Sequence, residues 1–566
     1  MLQGLVQHDH PLTIQHILER MRRVYGDSEV VTLTALGAGA GAPGTDAANG
    51  ATAPAQTQRA TFADVVGRVD RLCGALRDLG IEAGDRVATF AWNTQSHLEV
   101  YLAAPCFGAV LHTLNIRLFE EQLIYIANHA ADRVVFVEDS LAPGLGRVAD
   151  QLSTVRHFVV MGDGDTGDLP NVLRYEELIA EQAAGFAYPE IDDRQAAGLC
   201  YTSGTTGNPK GVLYSHRSNL LHSLSTCLPD AMGLCESDRV LPVVPMFHAN
   251  AWGIPYAGGL TGSDLVMPGR FLQPEPIAGL IESERVTVAA AVPTIWMDLL
   301  GHLEDHDADL SSIRRIICGG SAVPESLMRA WQERHGLRIV QAWGMTETSP
   351  LGSVAHAPAG VAEEEQWSYR SSQGRIMPCV EARLIGDDGA EVAWDGQATG
   401  ELEVRGPWVA SDYYEDLTGA EKFHDGWLRT GDIAAIDSQG YIHISDRAKD
   451  VIKSGGEWIS SVELEGELMA HPAVAEAAVV AMPDERWQER PLACVVCRQG
   501  EQVTIEELRA HLVDRVAKWW IPDHFAFIDE VPKTSVGKFD KKVLRNRLAE
   551  GELETHGPEA VQAPAS

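Results

Sequence analysis

Apolar residues recur at helical spacing in TFADVVGRVDRLCGALRDLG, where Phe62, Val65, Val66, Val69, Leu72, Cys73, Leu76 and Leu79 share one face. The spacing predicts a helix. Thr61 and Asp64 form a capping-box pair at its start, and Gly80 suits its C-terminal stop. Short apolar runs with β-character follow, among them RVATFAW, GAVLHTLN, HFVVMG, VTVAAAV, IRRIICGG and LRIVQAWG, with helical material between them. Strands interleaved with helices predict an α/β fold whose sheets are mainly parallel and covered on both faces.

The pattern changes in three places. The stretch GAGAGAPGTDAANGATAPAQTQ, within 36–58, is small and polar with no period, and reads as a flexible surface loop without catalytic meaning. From about residue 376 to 446 short strands and turns such as GELEVRG and GYIHISD predict a β-rich subdomain. Near SDRAKD the texture shifts again, which places a boundary at 447–450, a compact α+β domain over 451–550 and a tail over 551–566. A chain of 566 residues is too long for one core, so several folding units are expected, with 1–446 as the larger part.

Composition narrows the class. Hydrophobic residues at 45% and charged residues at 22% are ordinary for a soluble globular protein and favour neither disorder nor a fibrous class. No apolar run reaches the roughly 18 residues of a membrane span, and the start lacks the basic and apolar regions of a signal peptide. A cytoplasmic protein is expected. Its nine cysteines are scattered and read as reduced thiols. Cys494 and Cys497 in PLACVVC fall on opposite faces of a predicted strand, so the pair is not read as a metal or redox site. A net charge of −35 argues against nucleic acid or anionic membrane as partner. Any polyanionic ligand then needs a local basic patch.

Such a patch is suggested by YTSGTTGNPKGVLYSH, Tyr201 to His216. Glycines let backbone N–H groups converge, hydroxyls add donors and Lys210 adds a full charge, which together make a phosphate cradle. A Walker A loop needs Ser or Thr after its lysine, whereas Lys210 is followed by Gly211, so that alternative is set aside.

The same stretch resembles the signature loop of the adenylate-forming superfamily. GGSAVP at 319–324, WGMTET at 343–348, RTGD at 429–432, SDRAKDVIKSGGEWIS at 445–460 and PKTSVGK at 532–538 follow in family order. The resemblance implies a large N-terminal domain of two mixed αβ sheet subdomains plus the β-rich one, a hinge at Lys449 and a small mobile C-terminal domain. It also implies a reaction: carboxylate and ATP give acyl-adenylate and pyrophosphate, and CoA then displaces AMP.

Roles follow from the resemblance position by position. Thr202, Ser203, Gly204, Thr205, Thr206 and Lys210 would hold the β- and γ-phosphates, with Thr206 and Glu347 on Mg²⁺ and Thr346 on the α-phosphate. Trp343, where the family often has tyrosine, would stack on adenine beside Gly319, Gly320, Ser321 and Ala322, with Gln341, Ala342, Gly344 and Met345 lining the nucleotide. Asp432 and Arg447 would hold the ribose, and Lys453 and Trp458 belong to the same nucleotide site. Lys538 would reach both the carboxylate and the α-phosphate. Around it PKTSVGKFDKKVLRNR carries six basic residues against one Asp, the expected source of positive charge. The turn of Lys453, Ser454, Gly455 and Gly456, with Glu457, would admit CoA.

PMFHANAWGIPYAGGL resembles the acyl region of fatty-acyl-CoA synthetases, which implies that His248, Trp252, Gly253 and Tyr256, with Gly319, face the acyl chain and that Trp252 gates it. No Asp that would pair a substrate ammonium stands between Phe247 and Tyr256, against an amino-acid-activating relative. Aryl or short thioether acids remain an alternative, a non-catalytic adenylate-binding protein a remoter one, and a homodimer is compatible with the resemblance.

Overall fold

The computed structural model describes the chain except for residues 1, 3, 8, 37–54, 203–207, 448–449, 455–456, 485, 514, 535–536 and 558–566, and the side chains of 417, 418, 420, 457 and 458. The helix Phe62–Asp78 begins at a reciprocal Thr61–Asp64 capping box, and Gly80 just beyond its end has φ +73°. Its buried face, Phe62, Val65, Val66, Val69, Leu72, Cys73 and Leu76, packs in a large core between two sheets. Fully burying each large apolar side chain contributes about 1.5–3 kcal/mol.

The first sheet has seven strands, in the order Val172–Arg174, His157–Met161, Asp132–Glu138, Arg86–Phe90, Val110–Thr113, Ala196–Tyr201 and Gly211–Ser215. All its pairs are parallel except the last. Both faces are buried, one in the inter-sheet core and one under a second apolar cluster, which is why these strands read as continuous apolar runs.

The second sheet changes character along its width. From Glu29–Ala35 through Asp264–Met267, Arg239–Pro242, Val288–Ala291 and Arg315–Gly319 to Ile339–Gly344 the pairing is parallel. Beyond Ile339–Gly344 every pair is antiparallel, through Leu351–Val354, Gly374–Ile376 and Tyr441–Arg447 to the outer strands. The β-rich stretch therefore extends this sheet. Its own core, with Leu384, Leu402, Val404 and Ile436, is continuous with Trp343 and Leu351.

One sequence expectation is corrected. The sequence pattern predicts loop over 56–58, but the strand Gln56–Thr61 pairs antiparallel with Glu29–Ala35 at the sheet edge. Its side chains are exposed or half-buried, so no apolar alternation marked it; 37–54 lie outside the described residues.

A third sheet forms the C-terminal part, with Val474–Asp484 against Gln488–Cys497 at its centre and His524–Phe527 parallel to the latter. Cys494 and Cys497 do belong to clusters on opposite faces of this sheet. No helix among the described residues is long and apolar enough to cross a membrane.

Candidate active site

The loop expected to cradle phosphate joins two antiparallel strands, Ala196–Tyr201 and Gly211–Ser215, and so returns as a strand where a Walker loop enters a helix. Its neck is closed by Thr202 N–H to the Lys210 carbonyl, 2.9 Å, and by Lys210 N–H to Thr202 Oγ1, 3.1 Å. Ser203, Gly204, Thr205 and Thr206 lie outside the described residues. The Lys210 ammonium pairs with Asp416 at 3.0 Å and lies 4.9 Å over the Tyr413 ring.

Gly319 ends the parallel strand Arg315–Gly319, and a Cβ there would stand 2.7 Å from the Ala342 carbonyl and 3.4 Å from the Trp252 ring. Only glycine lets the two strands and the indole approach so closely. Ser321 and Ala322 are exposed, as a ligand-facing loop requires. Gln341, expected against the nucleotide, is instead committed to the backbone: it accepts from Val323 N–H at 2.6 Å and donates to the Ser371 and Ser372 carbonyls. An amide buried this deeply must satisfy its own groups, so Gln341 shapes the loop from behind.

Trp343 packs against Gly352, where a Cβ would fall 2.3 Å from the ring, and its Nε1–H donates to Asp432 at 3.1 Å. Gly344 has no room for a side chain, since a Cβ would overlap the Pro350 carbonyl, and Met345 N–H donates to that same carbonyl. Arg447 bonds the other oxygen of Asp432 at 2.7 Å. A carboxylate has about four acceptor positions, so Asp432 can bind further hydroxyls.

Thr346 and Glu347 sit in the turn Thr346–Thr348, both buried. The Tyr214 hydroxyl donates to the Thr346 carbonyl at 2.7 Å, and the Tyr413 hydroxyl donates to Glu347 Oε1 at 2.6 Å. Lys538 comes to the same place from the C-terminal part. Its Cε lies 3.7 Å from where a Gly320 Cβ would be, and Gly537 rests against Val292 and Thr294. Burial pushes the Lys538 ammonium down to about 8, with Arg447 adding to the shift and Asp432 and Glu347 opposing it. Burial, and then the Lys538 charge, push the His248 imidazole down to about 3. These shifts tie Lys538, His248, Arg447, Asp432 and Glu347 into one electrostatic cluster.

Beside it runs a left-handed turn, Ala249–Gly253, with φ of +42° to +57° at Ala249, Asn250, Ala251 and Trp252 and +76° at Gly253. Trp252 is almost buried. Asn250 anchors the turn by accepting from the Cys200 thiol and the Tyr101 hydroxyl. Tyr256 packs in the inter-sheet core and donates its hydroxyl to the Tyr101 carbonyl at 3.2 Å.

The CoA-approach residues are less gathered. Lys453 and Ser454, expected in a turn, lie on the strand Ile452–Ser454; Lys453 N–H bonds Glu489, and the Ser454 hydroxyl accepts from Arg490. Glu457 and Trp458 pair with that strand, while Gly455, Gly456 and Lys449 lie outside the described residues. The basic segment is a correction too. Lys533 pairs with Glu476 and Lys541 with Glu465 within the C-terminal domain, and Arg545 pairs with Asp450 of the 447–450 segment, so half of its cations are already committed. Only Lys538 of the segment joins the cluster described above. Sequence reasoning missed Tyr214, Tyr413 and Asp416. The hydroxyl-bearing, acidic run YYED at 413–416 was the available signal.

Residues 40–414 match the model of the AMP-binding enzyme family, and residues 463–538 match the AMP-binding enzyme C-terminal domain. The chain belongs to this adenylate-forming family. It is 45% identical over 545 residues to a long-chain-fatty-acid–CoA ligase of Thermus thermophilus, covering 95% of this chain and 96% of that protein. A 3-methylmercaptopropionyl-CoA ligase of Ruegeria lacuscaerulensis is 42% identical over 545 residues, covering 95% and 97%. The fold matches the crystal structure of an anthranilate CoA ligase in complex with anthranoyl-AMP with a TM-score of 0.84 at 26% identity, covering 96% of this chain and 99% of that one. Within the family the chain falls among the acid–thiol ligases.

Proposed function

We propose that the protein is an AMP-forming fatty-acid–CoA ligase. The observation that carries this reading is Lys538, a buried cation delivered by the C-terminal part to Glu347, Asp432, Arg447 and the Gly320 loop. In the first half-reaction a carboxylate oxygen attacks the α-phosphorus of ATP and the bond to pyrophosphate breaks. Two anions must meet, so the chain's task is neutralisation and alignment. Lys538 donates to the carboxylate and an α-phosphate oxygen, and Thr346 to another. Lys210 and the loop from Thr202 to Thr206 hold the β- and γ-phosphates. Trp343 carries the adenine, and Asp432 with Arg447 the ribose.

Glu347 fits Mg²⁺, because Tyr413 occupies Oε1 and leaves Oε2 as a hard oxygen donor. Among the described residues no group of three or more His, Cys, Asp or Glu forms a metal cage. That suits an ion held largely by phosphates and water. When bound, the ion neutralises phosphate charge.

In the second half-reaction the CoA sulfur, having lost its proton to solvent, attacks the acyl carbonyl carbon; the C–S bond forms, and the acyl C–O bond breaks with AMP leaving as the phosphate anion. The segment of Lys453 to Glu457 approaches for this step after rotation of 451–550 about 447–450. His248, kept neutral by burial, and Trp252 line the acyl side. All nine cysteines are free, in keeping with a reducing cytoplasm, and a homodimer belongs to the same proposal.

A shorter thioether acid is the second reading, favoured by near-equal identity to the 3-methylmercaptopropionyl-CoA ligase. The test is kcat/KM over straight-chain acids from four to eighteen carbons and 3-methylmercaptopropionate, read as pyrophosphate release and acyl-CoA by mass. Rising efficiency with chain length supports the fatty-acid reading; a maximum at the thioether acid overturns it. Trp252→Ala is expected to shift the chain-length optimum, because each methylene in contact is worth about 0.8 kcal/mol. An equal loss for all acids would make Trp252 merely structural.

A further inference from the structure

The segment 413–416 joins two separate parts of the site, the turn that carries Glu347 and the hairpin neck at Lys210 and Gly211. Tyr413 donates its hydroxyl to Glu347 at 2.6 Å and lies under the Lys210 ammonium. Tyr414 N–H donates to the Gly211 carbonyl at 2.8 Å, fixing the segment to the neck of the phosphate hairpin. Asp416 then places Oδ2 3.0 Å from Lys210 Nζ, with side-chain exposures of 18% and 30%. The pair spans about two hundred residues of sequence, and its acidic member lies two residues beyond Tyr414, whose backbone is bonded to Gly211 next to the lysine.

We propose that Asp416 is the counter-ion that Lys210 exchanges for polyphosphate, so that it weakens the hold on ATP and pyrophosphate and hastens pyrophosphate release. This rests on the reading of Lys210 as a phosphate ligand. An ammonium has three donors, so a phosphate oxygen and the carboxylate can both reach it. They are then like charges a few ångströms apart in a partly desolvated site, and each lowers the affinity of the other. If the carboxylate instead turns away, the pyrophosphate must replace an ion pair already made. Either route weakens polyphosphate binding. When pyrophosphate departs, Asp416 restores the pair, and Lys210 is never left as an uncompensated, half-buried charge. The effect is confined to the polyphosphate end, because Asp416 acts through Lys210, whereas adenine and ribose meet Trp343, Asp432 and Arg447.

The test uses the full-length enzyme with Mg²⁺ and measures dissociation constants for inorganic pyrophosphate and for AMP by calorimetry. Asp416→Asn keeps the shape and removes the charge. It is expected to bind pyrophosphate roughly two- to fivefold tighter, the range of a partly exposed ion pair, with AMP binding unchanged. Asp416→Glu should return pyrophosphate affinity toward the wild-type value, and Asp416→Asn in a Lys210→Met background should have no effect. AMP binding by each variant also reports that the site is folded. Pyrophosphate binding that is unchanged or weaker in Asp416→Asn, or that moves together with AMP binding, overturns the proposal. Wild-type enzyme that binds neither ligand overturns the ligase reading itself, and the proposal with it.

Discussion

Lys538 stands among Glu347, Asp432 and Arg447, and that balance sets how its charge responds to pH. Its ordinary value is 10.5, and burial brings it to about 8. The adenylation step needs the ammonium, so the competent form is present below about 8 and is lost above it. The expected profile of kcat/KM for ATP falls tenfold per pH unit on the alkaline side, with a midpoint near 8; a profile flat to pH 10 would mean that the free enzyme does not use this cation. Lys538, Glu347, Asp432 and Arg447 were legible as residues because each sits in a short segment of fixed order. Tyr413 and Asp416 were not: Tyr413 meets Glu347 across 66 positions. Gln341 was expected against the nucleotide, but its amide bonds the carbonyls of Ser371 and Ser372, which no local pattern links to it.

Elements were legible where one rule governed them. The helix Phe62–Asp78 follows its apolar spacing and its capping box. Strands buried on both faces announced themselves as apolar runs, whereas the polar edge strand Gln56–Thr61 did not. The left-handed turn Ala249–Gly253 was hidden for another reason. Alanine and tryptophan do not favour φ near +50°, each such residue costing about 1–2 kcal/mol, so only surrounding packing holds them there. The strand Leu351–Val354 offers a direct test of how one element positions another. Gly352→Ala inserts a methyl group 2.3 Å from the Trp343 ring. The indole must move, and its bond to Asp432 goes with it. The expected outcome is an ATP KM raised by roughly tenfold, corresponding to about 1.4 kcal/mol, with a smaller change in the KM for CoA. Equal changes in both would indicate general destabilisation.

At the scale of the whole molecule, the order of the parts could be read, but not how they join. Antiparallel pairing at Leu351–Val354 and Gly374–Ile376 fuses the β-rich stretch to the parallel sheet, and that contact depends on strands distant in sequence. Nor did any local pattern show that Glu465 and Glu476 of the C-terminal domain, with Asp450, would claim half of the basic segment. A hinge at 447–450 would allow the C-terminal part to present Lys538 in one orientation and the Lys453 strand in another. Lys449→Pro fixes one backbone angle there. It is expected to leave ATP–pyrophosphate exchange active while thioester formation stops; loss of both would mean that the substitution damages the fold or that no rotation occurs. The reverse substitution tests the central claim most directly, that Lys538 serves adenylation alone. The measurement compares, for Lys538→Ala and wild type, the rate of acyl-adenylate formation with the rate of CoA transfer from acyl-adenylate supplied directly. The account predicts a fall of roughly 10²-fold or more in the first and little change in the second. Equal losses in both half-reactions, or an unimpaired adenylation rate, would contradict it.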